Sequence, residues 1–160
     1  MYMMGLLAQS AAVGLFIWIA ICDFRTLKVR NRNLVVLIVI YVATLFIHSI
    51  ASLPGDLVAG VVLFGIGFIS WKLRVMGGGD VKLFFVLGLY LGFDGLGPFA
   101  VLLMVVSVLV YSVIRLVGRL AAPDTNGKFF GRIKAMGDDH KVPYAVVLIA
   151  AALPIIIANS

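Results

Sequence analysis

Six apolar runs, at 5–22, 34–53, 56–71, 75–93, 98–117 and 142–158, divide the chain, and its polar residues gather between them. A helix needs about 20 predominantly apolar residues to cross the hydrocarbon core of a bilayer, and these runs are close to that length. The pattern predicts an all-α fold, a polytopic membrane helix bundle of six transmembrane helices in a single domain, 1–160.

The basic residues orient the bundle. Arg25, Lys28, Arg30 and Arg32 fall between the first two runs, and Lys72, Arg74 and Lys82 around the junction of the third and fourth. Arg115, Arg119, Lys128, Arg132, Lys134 and Lys141 flank or fill the junction of the fifth and sixth. These clusters hold all 13 Lys and Arg, and the intervening stretches 52–55 and 94–97 hold none. Cytoplasmic loops collect Lys and Arg, so the expected topology places both termini outside the cytoplasm. The basic loops then face inward from a cytoplasmic (inner) membrane. A five-span arrangement would strand one basic cluster on the wrong side.

The fourth run is short where it matters. Only 11 uncharged residues lie between Leu83 and Phe93, about 16 Å of helix against a hydrocarbon thickness of about 30 Å. The span must therefore draw on 75–82, which brings Gly77, Gly78, Gly79 and Asp80 to the membrane boundary. Irregular backbone at that depth is tolerated only in protein or beside a wet cavity. An ionisable side chain there reads as functional.

Composition agrees. Hydrophobic residues make up 63% of the 160 and charged residues 12%, with a mean hydropathy of +1.17. A soluble domain of this size leaves about a third of its unfolded surface wet, so a soluble globular domain is excluded, as are a disordered chain and a disulfide-stapled secreted module. The net charge of +6 reflects orientation rather than a nucleic-acid partner. Cys22 is the single cysteine, which rules out an internal disulfide and a Cys-rich zinc site. No cofactor or metal is expected. Nor is a signal peptide, because the first run lacks a basic n-region and ends at Cys22-Asp23 rather than at a small-residue cleavage site.

All seven acids are aspartates. Asp23 closes the first run on the same predicted side as Asp80, so two acids from different helices sit at matching depth. Two carboxylates close together cannot both ionise; one keeps a proton while the other can deprotonate water, which is aspartic-protease chemistry. The competing assignments are an Asp23 ion pair with Arg25 or Lys28 and an N-cap role for Asp80. Asp56 and Asp94 read as cap and turn residues, Asp124 as a loop residue, and Asp138-Asp139-His140 as a solvated turn rather than a metal site. His48 reads as a packed or interfacial histidine. A proton- or ion-coupled transporter or channel subunit, with Asp23 and Asp80 as a relay, is the rival class. A membrane scaffold with incidental aspartates would leave the short fourth span unexplained.

Gly77-Gly78-Gly79-Asp80 fits the pattern G-x-G-D, and Met76 through Leu83 resembles the second catalytic motif of the type IV prepilin peptidases. The segment from Asp23 to Asn31 resembles the first motif, with Val29-Arg30-Asn31 in place of its Ile-Pro-Asn-like end. Val142-Pro143-Tyr144-Ala145 is similar to the start of the family's last span. The resemblance covers nearly the whole chain, and the short length matches Flp-type or tight-adherence forms and archaeal preflagellin peptidases. It implies an integral-membrane aspartic endopeptidase that removes the short basic leader of prepilin-like proteins at the cytoplasmic face. Asp23 and Asp80 would be the catalytic pair. The paired Cys-x-x-Cys motifs of longer, methylating members are absent, so zinc and methyltransferase activity are not expected.

Further expectations follow. Gly77, Gly78 and Gly79 would let a substrate backbone approach closely, having no side chain in the way, with Asn31 and Lys82 supporting the site. Lys28, Arg30 and Lys82 would serve anionic lipid headgroups, since the leader itself is basic. Phe129, Phe130, Ile133 and Met136, interleaved with Lys128, Arg132 and Lys134, suggest either an interfacial amphipathic segment within 118–141 or a basic loop anchored by two phenylalanines.

Overall fold

A computed structural model of the chain describes residues 2–26, 29–47, 50–74, 76–120 and 144–158. Among them there is no strand. The helices are α1 (Tyr2–Thr26), α2 (Asn31–Ile47), α3 (Leu53–Lys72), α4 (Gly78–Leu120) and α5 (Tyr144–Ala158), with a 3-10 turn at Ile50–Ser52 before α3. Lys28, His48, the segment 121–141 with its proposed amphipathic stretch, Val142 and Pro143 lie outside the described residues.

Local chemistry marks several helix ends. In the last turn of α1, Thr26 Oγ1 donates to the Cys22 carbonyl at 2.8 Å, occupying one of the carbonyls a helix end leaves open. Arg25 lies in that turn, where a cation complements the negative end of the helix dipole. A proline enters α3 in its first turn, where its missing N–H removes no helical bond.

The fourth and fifth apolar runs form one helical stretch rather than two helices joined by a turn at 94–97. The stretch is interrupted at Gly92, with φ 65° and ψ 176°, backbone angles open essentially to glycine alone. The chain doubles back there. The Phe84 and Phe99 rings meet edge to face with centroids 6.4 Å apart, whereas a straight helix would separate them by about 22 Å. Polarity placed the turn at Asp94–Gly97, but positive φ is what the reversal requires, and Gly92 supplies it.

Antiparallel pairings build the bundle. Along α3 and the first arm of α4, Asp56 meets Gly92, Gly60 meets Gly88, and Gly67 meets Val81 and Phe84. A Cβ on Gly88 would lie 2.5 Å from the Gly60 Cα. Small residues allow this close backbone approach, a common device where helices pack in lipid. On the other side, Gln9 Nε2 donates to the Ile156 carbonyl at 3.1 Å, joining the start of α1 to the end of α5. Leu83, Leu87 and Leu91 fall on one stripe of α4 and pack in a core with Phe16, Ile19, Leu37 and Leu148.

Three helical segments are long and apolar enough to cross a membrane, Leu7–Thr26, Leu53–Lys72 and Gly78–Val113. Asn31–Phe46 and Tyr144–Ala158 are shorter apolar helices. The outer faces are apolar too: Val35, Val61, Val101, Met104 and Val108 are all exposed. In water such faces would be costly, and in hydrocarbon they are matched to their solvent.

Candidate active site

Asp23 lies in the last turn of α1, on the face of the helix turned into the bundle, while Ile21 and Arg25 beside it are exposed. It is 3% exposed and is the one buried charged residue among those described. The first turn of α5 explains how a carboxylate is accommodated there. The backbone N–H groups of Ala145 and Val146 hydrogen-bond to it. First-turn N–H groups have no partner within their own helix, so a helix N-terminus is a natural seat for an anion. The carboxylate is not saturated by these bonds, because Asp23 Oδ2 has no hydrogen-bond partner among the described residues.

Asp80 comes from the opposite direction, in the first turn of α4. It is not the N-cap. That position belongs to Gly77, whose carbonyl accepts from the N–H groups of Asp80 (3.1 Å) and Val81 (3.4 Å). Asp80 is the third helical residue, and its Oδ2 accepts from the Gly77 N–H at 3.2 Å. This is the returning half of a capping box. It fixes one carboxylate oxygen, and the half-buried side chain keeps the other for a second partner. Asp23 and Asp80 are close enough for their charges to act directly on each other. Two acids 57 positions apart are thus placed within range of each other's charge.

The three glycines before Asp80 are packed by the chain's own atoms. A Cβ on Gly77 would meet Asp80 Oδ2 at 3.2 Å, one on Gly78 would meet Trp71 Nε1 at 3.5 Å, and one on Gly79 would meet Val29 Cβ at 3.2 Å. The close approach expected of a substrate is made, at Gly79, by the connection between α1 and α2. Lys82 is turned away from the acids, and its Nζ donates to Asn31 Oδ1 at 3.2 Å, tying α4 to the first residue of α2. Two residues along a helix are separated by about 200°, so Lys82 and Asp80 occupy opposite faces.

At the far end of the bundle, Asp56 lies inside the first turn of α3 and is not its cap, a position held by Ser52. Tyr41 Oη donates to Asp56 Oδ2 at 2.6 Å, and Asp56 Oδ1 lies against Gly92. Tyr90 Oη donates to the Leu37 carbonyl at 2.8 Å, and its ring meets those of Phe16 and Tyr41 edge to face. This network fastens the turn of α4 to α2 and α3. Sequence reasoning missed it, and also missed the Ala145 and Val146 amides. The signal for the amides was indirect: Pro143-Tyr144 announces a helix start, but no side chain says which acid that start will meet.

Among the described residues no group of His, Cys or acidic side chains is arranged to hold a metal ion. Comparison with curated proteins returns no match, and comparison with solved structures returns none either. A family model does match, over residues 10–113, and its description is the type IV leader peptidase family. That stretch contains Asp23, the loop through Asn31, the glycine turn and Asp80, so the chain belongs to the type IV leader peptidase family and is a peptidase-like membrane protein.

Proposed function

We propose that this protein is a membrane-embedded aspartic endopeptidase that removes the short basic leader of prepilin-like proteins at the cytoplasmic face, with Asp23 and Asp80 as its catalytic pair. The observation that carries the reading is the juxtaposition of these two acids, one in a buried site with an unclaimed oxygen, the other with one oxygen held by Gly77.

In this mechanism the pair shares one proton. The ionised member removes a proton from a water molecule held between the two, and that water attacks the scissile carbonyl. The protonated member polarises the carbonyl oxygen and then returns its proton toward the leaving amine. The Ala145 and Val146 amides hold Asp23 in place throughout, and Gly77 holds Asp80. Their preset positions mean that little rearrangement is needed as charge develops.

The reading extends to topology. Six membrane crossings, obtained by counting the two arms of α4 separately, would leave both termini outside the cytoplasm and the two acids at the inner rim, as the basic clusters favour. The test is cleavage of a co-expressed prepilin-like precursor. The unaltered chain should shorten it, and Asp23→Asn and Asp80→Asn should each abolish the shortening while the folded protein persists in the membrane. Retained cleavage in either variant would overturn the pair.

A further inference from the structure

A groove of about 450 Å³ runs between α2, α3 and α4 on the side of α4 away from the two acids. Its walls are apolar, formed by residues such as Val35, Ile38, Val61, Phe64 and Phe85. Two polar side chains, Asn31 and Lys82, complete the lining, and they stand together at one end. Lys82 has three N–H donors to offer, and its one polar contact among the described residues is Asn31 Oδ1. The same end carries the exposed Arg30 and Arg32 and coincides with the start of α2, where helix geometry favours an anion.

We propose that this groove is a binding site for one anionic phospholipid, with an acyl chain lying between α2, α3 and α4 and the phosphate at Lys82 and Asn31. An uncompensated cation at the head of an apolar channel calls for a ligand with an anionic head and a hydrocarbon body. The basic leader of a precursor would be repelled by Lys82, Arg30 and Arg32. The groove also faces away from Asp80, so an occupant here would not present a bond to the acids. The proposal requires that the chain sit in a bilayer, and it does not depend on the peptidase chemistry.

The test uses the full chain purified in non-ionic detergent, titrated with phosphatidylglycerol, with phosphatidylcholine of the same acyl chains, and with glycerol phosphate. Binding is read from the rise in thermal unfolding temperature. Phosphatidylglycerol should bind about fivefold more tightly than phosphatidylcholine, the preference one lysine confers near a headgroup, and glycerol phosphate should bind far more weakly than either. Lys82→Gln should erase the preference and Lys82→Arg should restore it. Val35→Trp, which fills the groove, should weaken both lipids. Asp23→Asn should behave as the unaltered chain does, so a failed peptidase assignment would leave this result standing. Equal binding of the two lipids, or a preference that survives Lys82→Gln, would overturn the proposal. So would a photo-crosslinker at Val61 that captures the precursor protein in cells instead of lipid.

Discussion

Gly79 lies directly against Val29, and a Cβ on the glycine would approach the valine Cβ to 3.2 Å. This contact seats the connection after α1 on the first turn of α4, and it therefore sets how Asp23 approaches Asp80. A larger residue at 79 should push the two elements apart without unfolding either. Gly79→Val is expected to lower precursor cleavage at least tenfold, the effect of about 1.4 kcal/mol in a barrier, with little change in the amount of membrane-inserted protein. Immunoblots of precursor and mature product alongside total peptidase would check it.

The first turn of α5 should matter through its backbone alone. Ala145→Pro removes an N–H that bonds the Asp23 carboxylate, at a position where a helix tolerates proline. A hydrogen bond to a charged group contributes about 1.5–3 kcal/mol. Cleavage should fall by tenfold or more, while Ala145→Ser, which retains the N–H, should remain close to the unaltered rate. Equal rates for the two variants would contradict the role assigned to the amide.

Gly92→Ala should destabilise the bundle. The φ of 65° disfavours any side chain, and the new Cβ would lie 2.9 Å from Asp56 Oδ1. Backbone strain of this kind costs about 1–3 kcal/mol. Thermal unfolding in detergent should show a lower midpoint than for Gly97→Ala, where an added Cβ meets nothing within 4 Å.

Arg74→Gly should act in the opposite sense. Arg74 has a φ of 60° and closes the end of α3, its N–H donating to the Trp71 carbonyl at 2.9 Å. A left-handed conformation costs a side-chain-bearing residue about 1–2 kcal/mol, and glycine gives back about 0.4–1 kcal/mol through the freedom of the unfolded chain. A net gain of up to about 1.6 kcal/mol should appear as a raised unfolding midpoint.

What could be read from the sequence was whatever depends on hydropathy and on residue type. Among the described residues each α-helix falls on an apolar run, with the fourth and fifth runs sharing one, and the G-x-G-D pattern together with Asp23 drew attention to acids whose charges act on each other in the fold. The reversal at Gly92 was misplaced to 94–97 because polarity marks where a chain can leave the bilayer, whereas the turn depends on a backbone angle. The competing N-cap role for Asp80 rests on side-chain preference, yet Gly77 takes that position, because the carbonyl that begins the helix belongs to the backbone and any residue can supply it. Asp56 looked like a simple cap for a related reason. Its partner Tyr41 lies 15 positions earlier on another helix, and no local pattern links them.

The match to the family covers residues 10–113, but the amides on Asp23 come from 145 and 146. A frameshift or stop codon soon after Leu120 would yield a product with both aspartates and the glycine turn intact but without the segment at 142–145. Such a product would leave Asp23 buried without its donors, and on the mechanism proposed here it would be inert. Judging whether a gene of this kind encodes a working enzyme therefore means looking past the signature to a final helix whose contribution is made by alanine and valine.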